Sequence, residues 1–402
     1  MMIFYKLGIL LYGFALKVAA IFNKKAQLWV IGRKHIFEKF PDVSNKKIQW
    51  FHCASLGEFE QARPLIEEWR KKAPNDFILI TFFSPSGYEI QKNYSKADFI
   101  CYLPLDTPKN AKRFIKHFNP ENAFFVKYEF WLHYIDAAYQ NNTKIFSIST
   151  LLRPNQRFFK WYGIIFKKRL DYFNHFFVQN EETARLLSSI NIQAYTITGD
   201  TRFDRVYMRS LNHTENEIIS YWLGSEKAFV IGSSWPVEES FLIPFINSYT
   251  GKVIIAPHEV DEKHINLIES KLTTAYQKYT KTNGLINSEA DVLILDCIGV
   301  LADAYKYGEI AYVGGAFGSG LHNILEPAAF GLPVIFGPRH NKFPEAQLFI
   351  DQKVGFSINS GEQFTTTFEK VQCNLSPIQK QLRALIQANI GATEKIMHKL
   401  KS

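Results

Sequence analysis

Short apolar runs alternate with stretches of helical periodicity from residue 48 to about residue 200. Seven runs are predicted to be strands because each is nearly continuous in apolar residues and bounded by turn residues: Ile48–His52, Phe77–Phe83, Phe99–Leu103, Ala123–Tyr128, Lys144–Ser149, His175–Val178 and Tyr195–Thr198. Helical stretches fall between most of them, near residues 59–72, 108–117, 130–140, 157–170 and 180–189. Continuous apolar strands separated by helices predict a parallel sheet that is covered on both faces.

The same rhythm restarts after the polar stretch Asn212–Glu217. The strands predicted there are Phe229–Ile231, Lys252–Ala256, Val292–Leu295, Ile310–Val313, Val334–Phe336 and a weaker Val354–Ile358. A charged helix from about Pro377 to Leu400 is predicted to close the chain. We therefore expect two doubly wound, Rossmann-like α/β domains, at 26–210 and 211–402, after an N-terminal segment at 1–25. Ligands in such folds bind beyond the carboxyl ends of the strands, here in an interdomain cleft.

The N-terminal segment is apolar over residues 3–22 except for Lys6 and Lys17. These lysines lie three helical turns apart, on a stripe that also holds Gly13 and Lys24. The longest uncharged run is about half of what a membrane-spanning helix needs. We expect a helix that lies in the membrane interface, with a spanning helix and an ordinary core helix as open alternatives. A signal peptide is disfavoured because no small-residue cleavage site follows.

The composition is that of a globular protein, with 47% hydrophobic and 21% charged residues, which excludes disordered, collagen-like and polytopic membrane chains. Of the net charge of +9, +7 lies in the first 50 residues, which hold nine basic and two acidic side chains. The remainder is nearly neutral, which argues against nucleic acid as a partner and favours an anionic membrane surface. The four cysteines form no CxxC pair, so we expect thiols in a reducing compartment.

A second basic and aromatic stretch runs from Arg153 to Arg169. It carries six basic side chains and no acidic one, interleaved with Phe158, Phe159, Trp161, Tyr162 and Phe166. Such a pattern suits contact with anionic lipid headgroups. It equally suits a surface helix that buries its aromatic rings in the domain.

Two carboxylates follow predicted strands, at the edge where catalytic groups collect in parallel sheets. Glu58 comes shortly after the first strand and opens a helix. Ser55-x-x-Glu58 is also a capping box, so a purely structural role is the alternative. Glu129 ends another apolar strand among large apolar residues, where its pKa is expected to rise, although a carboxylate at the rim is equally ordinary.

A glycine-rich stretch, Gly314–Pro327, follows an apolar strand and precedes a helix. Glycines there allow a ligand phosphate to reach backbone N–H groups. The spacing matches neither the dinucleotide fingerprint nor the Walker loop. Glu326 could accept hydrogen bonds from ribose hydroxyls. The alternative is a glycine loop that uses Asn323 as a helix cap.

Several spaced motifs, in order, resemble those of the 3-deoxy-D-manno-octulosonic acid (Kdo) transferases of lipopolysaccharide synthesis. The motifs are Ser55–Glu58, Thr81–Gly87, Tyr102–Asp106, Glu129–Trp131, Gly199–Asp204, Gly232–Ser234, Ala256–His258, Val313–Gly315, His322–Pro327 and Gly337–Pro338. The resemblance runs from about residue 3 to the C-terminus. It implies an inverting sugar transferase of the GT-B architecture, which has two Rossmann-like domains.

The resemblance also implies roles for particular residues. Glu58 matches the family's general base, and Glu129 and Arg202 match groups that support the transition state. The residues that match the cytidine monophosphate (CMP) pocket are Pro257, His258, Ile298, Gly299, Val300, Asn323, Ile324, Leu325 and Glu326. The chain departs from the family by Arg202 in place of Lys, by His258 in place of Arg, and by Lys127 where an uncharged or acidic residue is commoner.

The function implied by the resemblance is transfer of Kdo from CMP-Kdo to a lipid A precursor, lipid IVA, at the cytoplasmic face of the inner membrane. We expect no cofactor and no metal, because a monophosphate carries less charge than a diphosphate and no Asp-x-Asp stands at a suitable place. The alternatives are another GT-B enzyme, such as a lipid A disaccharide synthase or an epimerase, that binds a nucleoside-diphosphate sugar, and a non-catalytic membrane-bound nucleotide-sugar binding protein. The identity of the bound nucleotide distinguishes the two kinds of enzyme, and detectable turnover distinguishes an enzyme from a binding protein.

Overall fold

The computed structural model describes residues 2–212, 214–282, 287, 289–318 and 320–401, and it divides into two compact units. The first unit comprises Met1–Arg205 and Ile390–Ser402, and the second comprises Val206–Asn389. Each unit is built on one seven-stranded sheet in which every pairing is parallel. This is the α/β class that the sequence predicts.

The first sheet has the strand order β3-β2-β1-β4-β5-β6-β7. Its strands are β1 (Ile48–Cys53), β2 (Phe77–Phe82), β3 (Phe99–Tyr102), β4 (Asn122–Val126), β5 (Lys144–Thr150), β6 (His175–Val178) and β7 (Tyr195–Ile197). All seven coincide with predicted strands to within two residues at each end. Successive strands add outward in opposite directions from β1 and from β4, so the topological switch point lies between those two strands.

The α-helices that begin in this unit before its C-terminal segment are α1 (Met2–Ala19), α2 (Lys24–Arg33), α3 (Leu56–Lys72), α4 (Pro85–Gln91), α5 (Pro108–Phe118), α6 (Leu132–Gln140), α7 (Ile164–Leu170), α8 (Glu181–Ser188) and α9 (Thr201–Leu211). Short 3-10 helices lie at Ile36–Glu38, Arg157–Phe159 and Trp161–Gly163. The strands are almost wholly buried, as expected for a sheet covered on both faces.

The second sheet has the order β10-β11-β9-β8-β12-β13-β14. Its strands are β8 (Ala228–Ser234), β9 (Lys252–Pro257), β10 (Tyr276–Lys278), β11 (Val292–Ile294), β12 (Gly308–Val313), β13 (Val334–Phe336) and β14 (Gly355–Ser357). The remaining helices are α10 (Glu217–Leu223), α11 (Pro236–Ser248), α12 (Glu262–Lys271), α13 (Leu301–Ala304), α14 (Leu325–Ala329), α15 (Pro344–Asp351), α16 (Gly361–Cys373), α17 (Leu375–Asn389) and α18 (Ala392–Lys401), with 3-10 turns at Tyr279–Lys281 and Tyr305–Tyr307. The switch point of this sheet lies between β8 and β12.

The prediction of one closing helix was wrong, because the helix is broken at Gly391, whose φ of 100° lies in the left-handed region. The carboxylate of Asp204 accepts hydrogen bonds from the N–H groups of Gly391 and Thr393, which fixes the start of α18. Ile396 and Met397 are then buried against α3 and the first sheet. The last helix therefore belongs to the first unit, and not to the second domain as the sequence suggested.

The N-terminal segment forms two helices, so Lys24 opens α2 and does not share the stripe of Lys6 and Lys17. Asn23 separates the helices and caps α2 by accepting the Ala26 N–H at 3.1 Å. Large apolar side chains of α1 are exposed, namely Ile3, Phe4, Leu7, Leu11, Phe14 and Val18. By length and composition alone, α1 could also cross a membrane.

Residues 153–169 form two 3-10 turns followed by α7. Some aromatic side chains of this stretch are buried in the domain and others are exposed, so each of the two interpretations holds for part of it. Phe158 is buried in the core of the first unit, whereas the Trp161 side chain is 92% exposed. Tyr162 and Ile164 are also exposed. The four cysteines are free thiols, as predicted.

Candidate active site

Glu58 lies at the carboxyl end of β1, in the first turn of α3. It is 7% exposed. Its Oε2 accepts a hydrogen bond from the Ala54 N–H at 2.5 Å, and the Ser55 N–H also donates to the carboxylate. Within the described chain the Ser55 hydroxyl makes no capping bond to α3. Only the glutamate half of the predicted capping box has formed, so Glu58 is a carboxylate held by backbone donors at a strand end.

Glu129 follows β4, on the other side of the switch point from Glu58. The chain reaches it through Lys127, whose φ of 56° is left-handed. The Lys127 N–H donates to Ile148 O at 3.0 Å, which holds the turn against β5. Non-glycine residues in this region carry backbone strain of the kind that clusters at functional sites. The turn places a half-buried carboxylate close enough to Glu58 to affect its pKa.

Ionising the carboxyl group of Glu58 or of Glu129 costs free energy, because both groups are largely buried. Burial raises the pKa of Glu58 to about 8, and the neighbouring Glu129 adds to the rise, against the opposing effect of Lys127. Burial also raises the pKa of Glu129, while Arg157 and Lys127 act in the opposite direction. Two desolvated carboxylates that share a site do not ionise independently. Glu58 is therefore poised to exchange a proton near neutral pH.

Arg202 begins α9 and is linked to the same helix as Glu58. Its Nε and Nη2 donate to Asp200 Oδ2 at 2.9 and 2.6 Å. Burial opposes ionisation of Asp200, but Arg202 and Gln61 favour the charged form and hold its pKa below the ordinary value. Gln61 lies one turn after Glu58 and accepts the Thr201 hydroxyl at 2.6 Å through its backbone oxygen. Arg202 thus forms an ion pair with Asp200, and Asp200 in turn contacts Gln61 on the helix that carries Glu58.

A buried hydrogen-bonded chain lies beside these groups and was not singled out by the sequence. Trp131 Nε1 donates to His52 Nε2 at 2.9 Å, and His52 Nδ1 lies 2.9 Å from Thr81 Oγ1. Burial lowers the pKa of His52 to about 3, so the imidazole is neutral, with its proton on Nδ1. Trp131 follows Glu129 by two residues, so this chain fixes the turn that carries Glu129. The carboxyl-end positions of His52 and Trp131 are the signal that could have found them.

In the second unit, the predicted CMP-binding residues follow β9, β11 and β12, and β8 lies between β9 and β12 in the sheet. Residues 257–258 end β9 or follow it, 298–300 follow β11, and 323–326 follow β12. Pro257 is buried, whereas His258 is exposed and Ile298 is 87% exposed. All three groups therefore lie at the carboxyl edge of one sheet, where the sequence analysis expected a ligand.

The glycine loop after β12 uses several of its own N–H groups within the protein. The fully buried Glu238 accepts hydrogen bonds through Oε1 from the N–H groups of Gly315 at 2.8 Å and Phe317 at 3.4 Å. Four other N–H groups donate to backbone carbonyls, those of Gly314, Gly318, Gly320 and His322. These six N–H groups donate within the protein, so a phosphate contact with the loop would use its other N–H groups. Ser319 lies outside the described residues.

Asn323 and Glu326 contact each other at the start of α14. Asn323 Oδ1 accepts the Leu325 N–H at 3.1 Å, and its Nδ2 donates to Glu326 Oε1 at 3.0 Å. Asn323 therefore accepts from the first N–H of α14 although it stands one position before the N-cap, Ile324, so the alternative interpretation of a helix cap applies only in part. Ile324 and Leu325 are fully buried, so their side chains belong to the core and only their backbone could meet a ligand.

Three aromatic rings meet at the carboxyl ends of β8, β9 and β12. Trp235 and His322 are nearly coplanar, at 9°, and Trp235 Nε1 donates to His322 Nε2 at 3.1 Å. The His258 ring stacks on both, with centroid distances of 4.5 Å to Trp235 and 4.4 Å to His322. Trp235 was not among the predicted site residues, although its position directly after β8 marks it as a residue of the ligand edge.

Among the described residues, one group of side chains has ligand atoms close enough to hold a metal ion. It comprises Glu259, Asp261 and His264, with ligand atoms within 4.8 Å of one another. His264 Nδ1 lies 2.9 Å from Glu259 O, and Nε2 lies 2.9 Å from Glu239 Oε2. Both ring nitrogens of His264 are therefore already engaged by protein oxygens. Asp261 caps α12 by accepting the His264 N–H, and the cluster is explained as a helix start.

Comparison with known families gives one assignment. Residues 33–205 match the model of the 3-deoxy-D-manno-octulosonic-acid transferase (kdotransferase) family. A 3-deoxy-D-manno-octulosonic acid transferase of Aquifex aeolicus is 28% identical over 83% of this chain and 88% of its own. The enzyme of the same name from Chlamydia muridarum is 27% identical over 84% of this chain and 80% of its own. A bifunctional glycosyltransferase/methyltransferase of Fusobacterium nucleatum is 26% identical, but the match spans only 55% of its length.

Solved structures share the GT-B fold. UDP-GlcNAc 2-epimerase from Neisseria meningitidis, bound to UDP-GlcNAc, is similar over 89% of this chain and 100% of its own, with a TM-score of 0.63 and 15% identity. MurG of Acinetobacter baumannii is similar over 89% and 99%, with a TM-score of 0.55 and 10% identity. At these identities the similarity establishes the architecture alone.

The raised pKa of Glu58 has a consequence for stability. Between the ordinary pKa of 4.5 and the folded value of about 8, the folded state binds more protons than the unfolded state. The free energy of unfolding therefore falls as pH rises through this window. Glu58→Gln removes this loss. We therefore expect the free energy of unfolding of the variant, relative to that of the wild type, to increase between pH 5 and pH 9, as measured by urea unfolding. Glu182→Gln, on the exposed start of α8, should leave the pH dependence unchanged. Equal destabilisation by Glu58→Gln at both pH values would mean that Glu58 serves only as a cap.

Proposed function

The chain belongs to the Kdo transferase family and is a glycosyltransferase, and we propose that it transfers Kdo from CMP-Kdo to a lipid A precursor, lipid IVA. The observation that carries this proposal beyond the family assignment is the desolvated carboxyl pair Glu58 and Glu129 at the switch point of the first sheet. Transfer to a hydroxyl needs a group that takes its proton. A carboxylate whose pKa lies near the working pH is well suited to that work.

In the proposed reaction, the acceptor hydroxyl loses its proton to Glu58 while its oxygen bonds to the anomeric carbon of Kdo. The bond from that carbon to the CMP phosphate breaks, and the electron pair leaves with the phosphate. Attack opposite the leaving group inverts the anomeric centre. Glu129 keeps the pKa of Glu58 high, and the fixed positive charge of Lys127 limits the rise. Arg202 supplies positive charge, oriented by Asp200, for the anionic groups of the substrates.

We assign the donor nucleotide to the carboxyl edge of the second sheet. The contributing residues are Pro257, His258, Ile298, Gly299, Val300, Asn323 and Glu326 through side chain or backbone, and Ile324 and Leu325 through backbone alone. The proposed donor carries a monophosphate, and six N–H groups of the glycine loop already donate within the protein. The reaction as proposed uses no metal and no cofactor.

A nucleoside-diphosphate sugar enzyme is the second candidate, because the epimerase fold covers most of this chain. It predicts preferential binding of a uridine diphosphate sugar. A non-catalytic binding protein would show no turnover with either donor.

We place the protein on the cytoplasmic face of the inner membrane through α1. The exposed apolar side chains of this helix would enter the interface, and Lys6 and Lys17 would contact anionic headgroups. Trp161 and Tyr162 form a second exposed aromatic group beside Lys160, Lys167 and Lys168, which extends the same surface chemistry. A lipid acceptor accounts for such a surface.

Incubation with CMP-Kdo and lipid IVA, followed by mass analysis of the lipid, tests the proposed activity. We expect the lipid to gain the mass of Kdo. Glu58→Gln should lower the rate by about 10²–10⁴-fold, the usual loss for a general base, while Glu182→Gln keeps the wild-type rate. Absence of product with the wild type would reject this donor and acceptor. A near-normal rate for Glu58→Gln would reject Glu58 as the base.

Salt and carbonate washes of membranes that carry the full-length protein test the mode of attachment. An interfacial helix held partly by lysines should be released, because salt screens contacts worth about 1 kcal/mol per lysine. Replacing Lys6 and Lys17 together by Gln should lower the salt concentration needed. Retention through both washes, with release only by detergent, would show that α1 spans the membrane.

A further inference from the structure

We propose that the exposed face of His258, supported by the coplanar pair of Trp235 and His322, is a stacking surface for the base of a pyrimidine nucleotide. This inference rests on the proposed function, because it assigns a particular contact to the donor nucleotide. It adds Trp235 and His322 to the candidate site as the residues that hold the ring.

The geometry of the three rings is that of a supported platform. Trp235 and His322 meet edge to edge through the Trp235 Nε1 to His322 Nε2 hydrogen bond and form one flat surface. The His258 ring lies across both rings, tilted by 24° from one and 26° from the other. Because one face of the imidazole is covered and the residue is exposed, the opposite face is the one that solvent reaches.

The surroundings hold this platform in place. The Trp235 N–H donates to Glu238 Oε2 at 3.0 Å, and the same carboxylate holds the glycine loop. The His258 N–H donates to Ser234 O at 2.9 Å. Gly315 lies so close to His322 that a Cβ there would be 2.7 Å from the ring. Backbone bonds therefore hold the main chain that carries Trp235 and His258, and the rings hold one another. An ordered flat surface loses little entropy when a ligand stacks on it.

Stacking accounts for His258 better than a phosphate contact does. A phosphate would favour an imidazolium, but burial lowers the pKa of His258, and its neighbour His322 is neutral because burial lowers that pKa to about 4. A neutral ring with one open face has little to offer an anion and is well suited to a nucleobase. In the described chain no hydrogen bond to the ring nitrogens of His258 is formed, so supporting rings alone set its orientation.

The test uses the full-length protein and CMP as the probe, with dissociation constants measured by calorimetry at pH 8, where the imidazole is neutral. Base stacking on an aromatic side chain typically accounts for about ten-fold or more in affinity. We therefore expect about ten-fold weaker binding for His258→Ala and for His258→Lys, which introduces a cation and has no ring. His258→Phe and His258→Tyr keep a flat ring and should bind within about three-fold of the wild type.

Several results would overturn the inference. Retained affinity in His258→Lys with lost affinity in both ring variants would mean a charge contact to phosphate. If His258→Ala binds CMP as tightly as the wild type does, His258 does not contact the nucleotide and the inference is wrong. In that case the proposed function stands, because the wild type still binds CMP. Failure of the wild type to bind CMP would overturn the proposed donor together with this inference. Circular dichroism melting curves establish that each variant is folded.

Discussion

The proposed reaction depends on the free-energy cost of ionising one buried carboxyl group beside another. Glu58 and Glu129 follow adjacent parallel strands, β1 and β4, and the strand pairing brings them close together. Water that would solvate the two charges is largely excluded, so the pKa of each group rises. The left-handed turn at Lys127 and the buried chain from Trp131 to His52 maintain an arrangement that the carboxylates themselves oppose.

In the second unit, backbone N–H groups stabilise the buried carboxylate. Glu238 is buried, and the backbone N–H groups of Gly315, Phe317 and Trp235 donate to its carboxylate. What this edge presents to a ligand is the flat face of His258 and the polar pair of Asn323 and Glu326. In the proposed function, the first unit therefore supplies the proton acceptor and the second unit supplies the surface for the nucleotide.

The apolar runs predicted thirteen of the fourteen strands, because a strand buried on both faces must be apolar throughout. They missed β10 (Tyr276–Lys278), a three-residue edge strand with polar side chains, and ended β8 three residues too early. The position of Glu58 after β1 could be predicted because it is a sequence property. The use of the glycine-loop N–H groups was not predictable, because their acceptor, Glu238, is distant in sequence. The ring pair of Trp235 and His322 likewise exists only once β8 and β12 are adjacent.

The most direct test of this account is the pKa of Glu58 itself. It can be read from the pH dependence of the side-chain carboxyl carbon shift in protein labelled with ¹³C-glutamate, with the signal assigned by its loss in Glu58→Gln. The account predicts a value near 8 in the wild type and a lower value in Glu129→Gln, because that substitution removes the neighbouring negative charge. A wild-type value near that of an exposed glutamate, or the same value in both proteins, would contradict it.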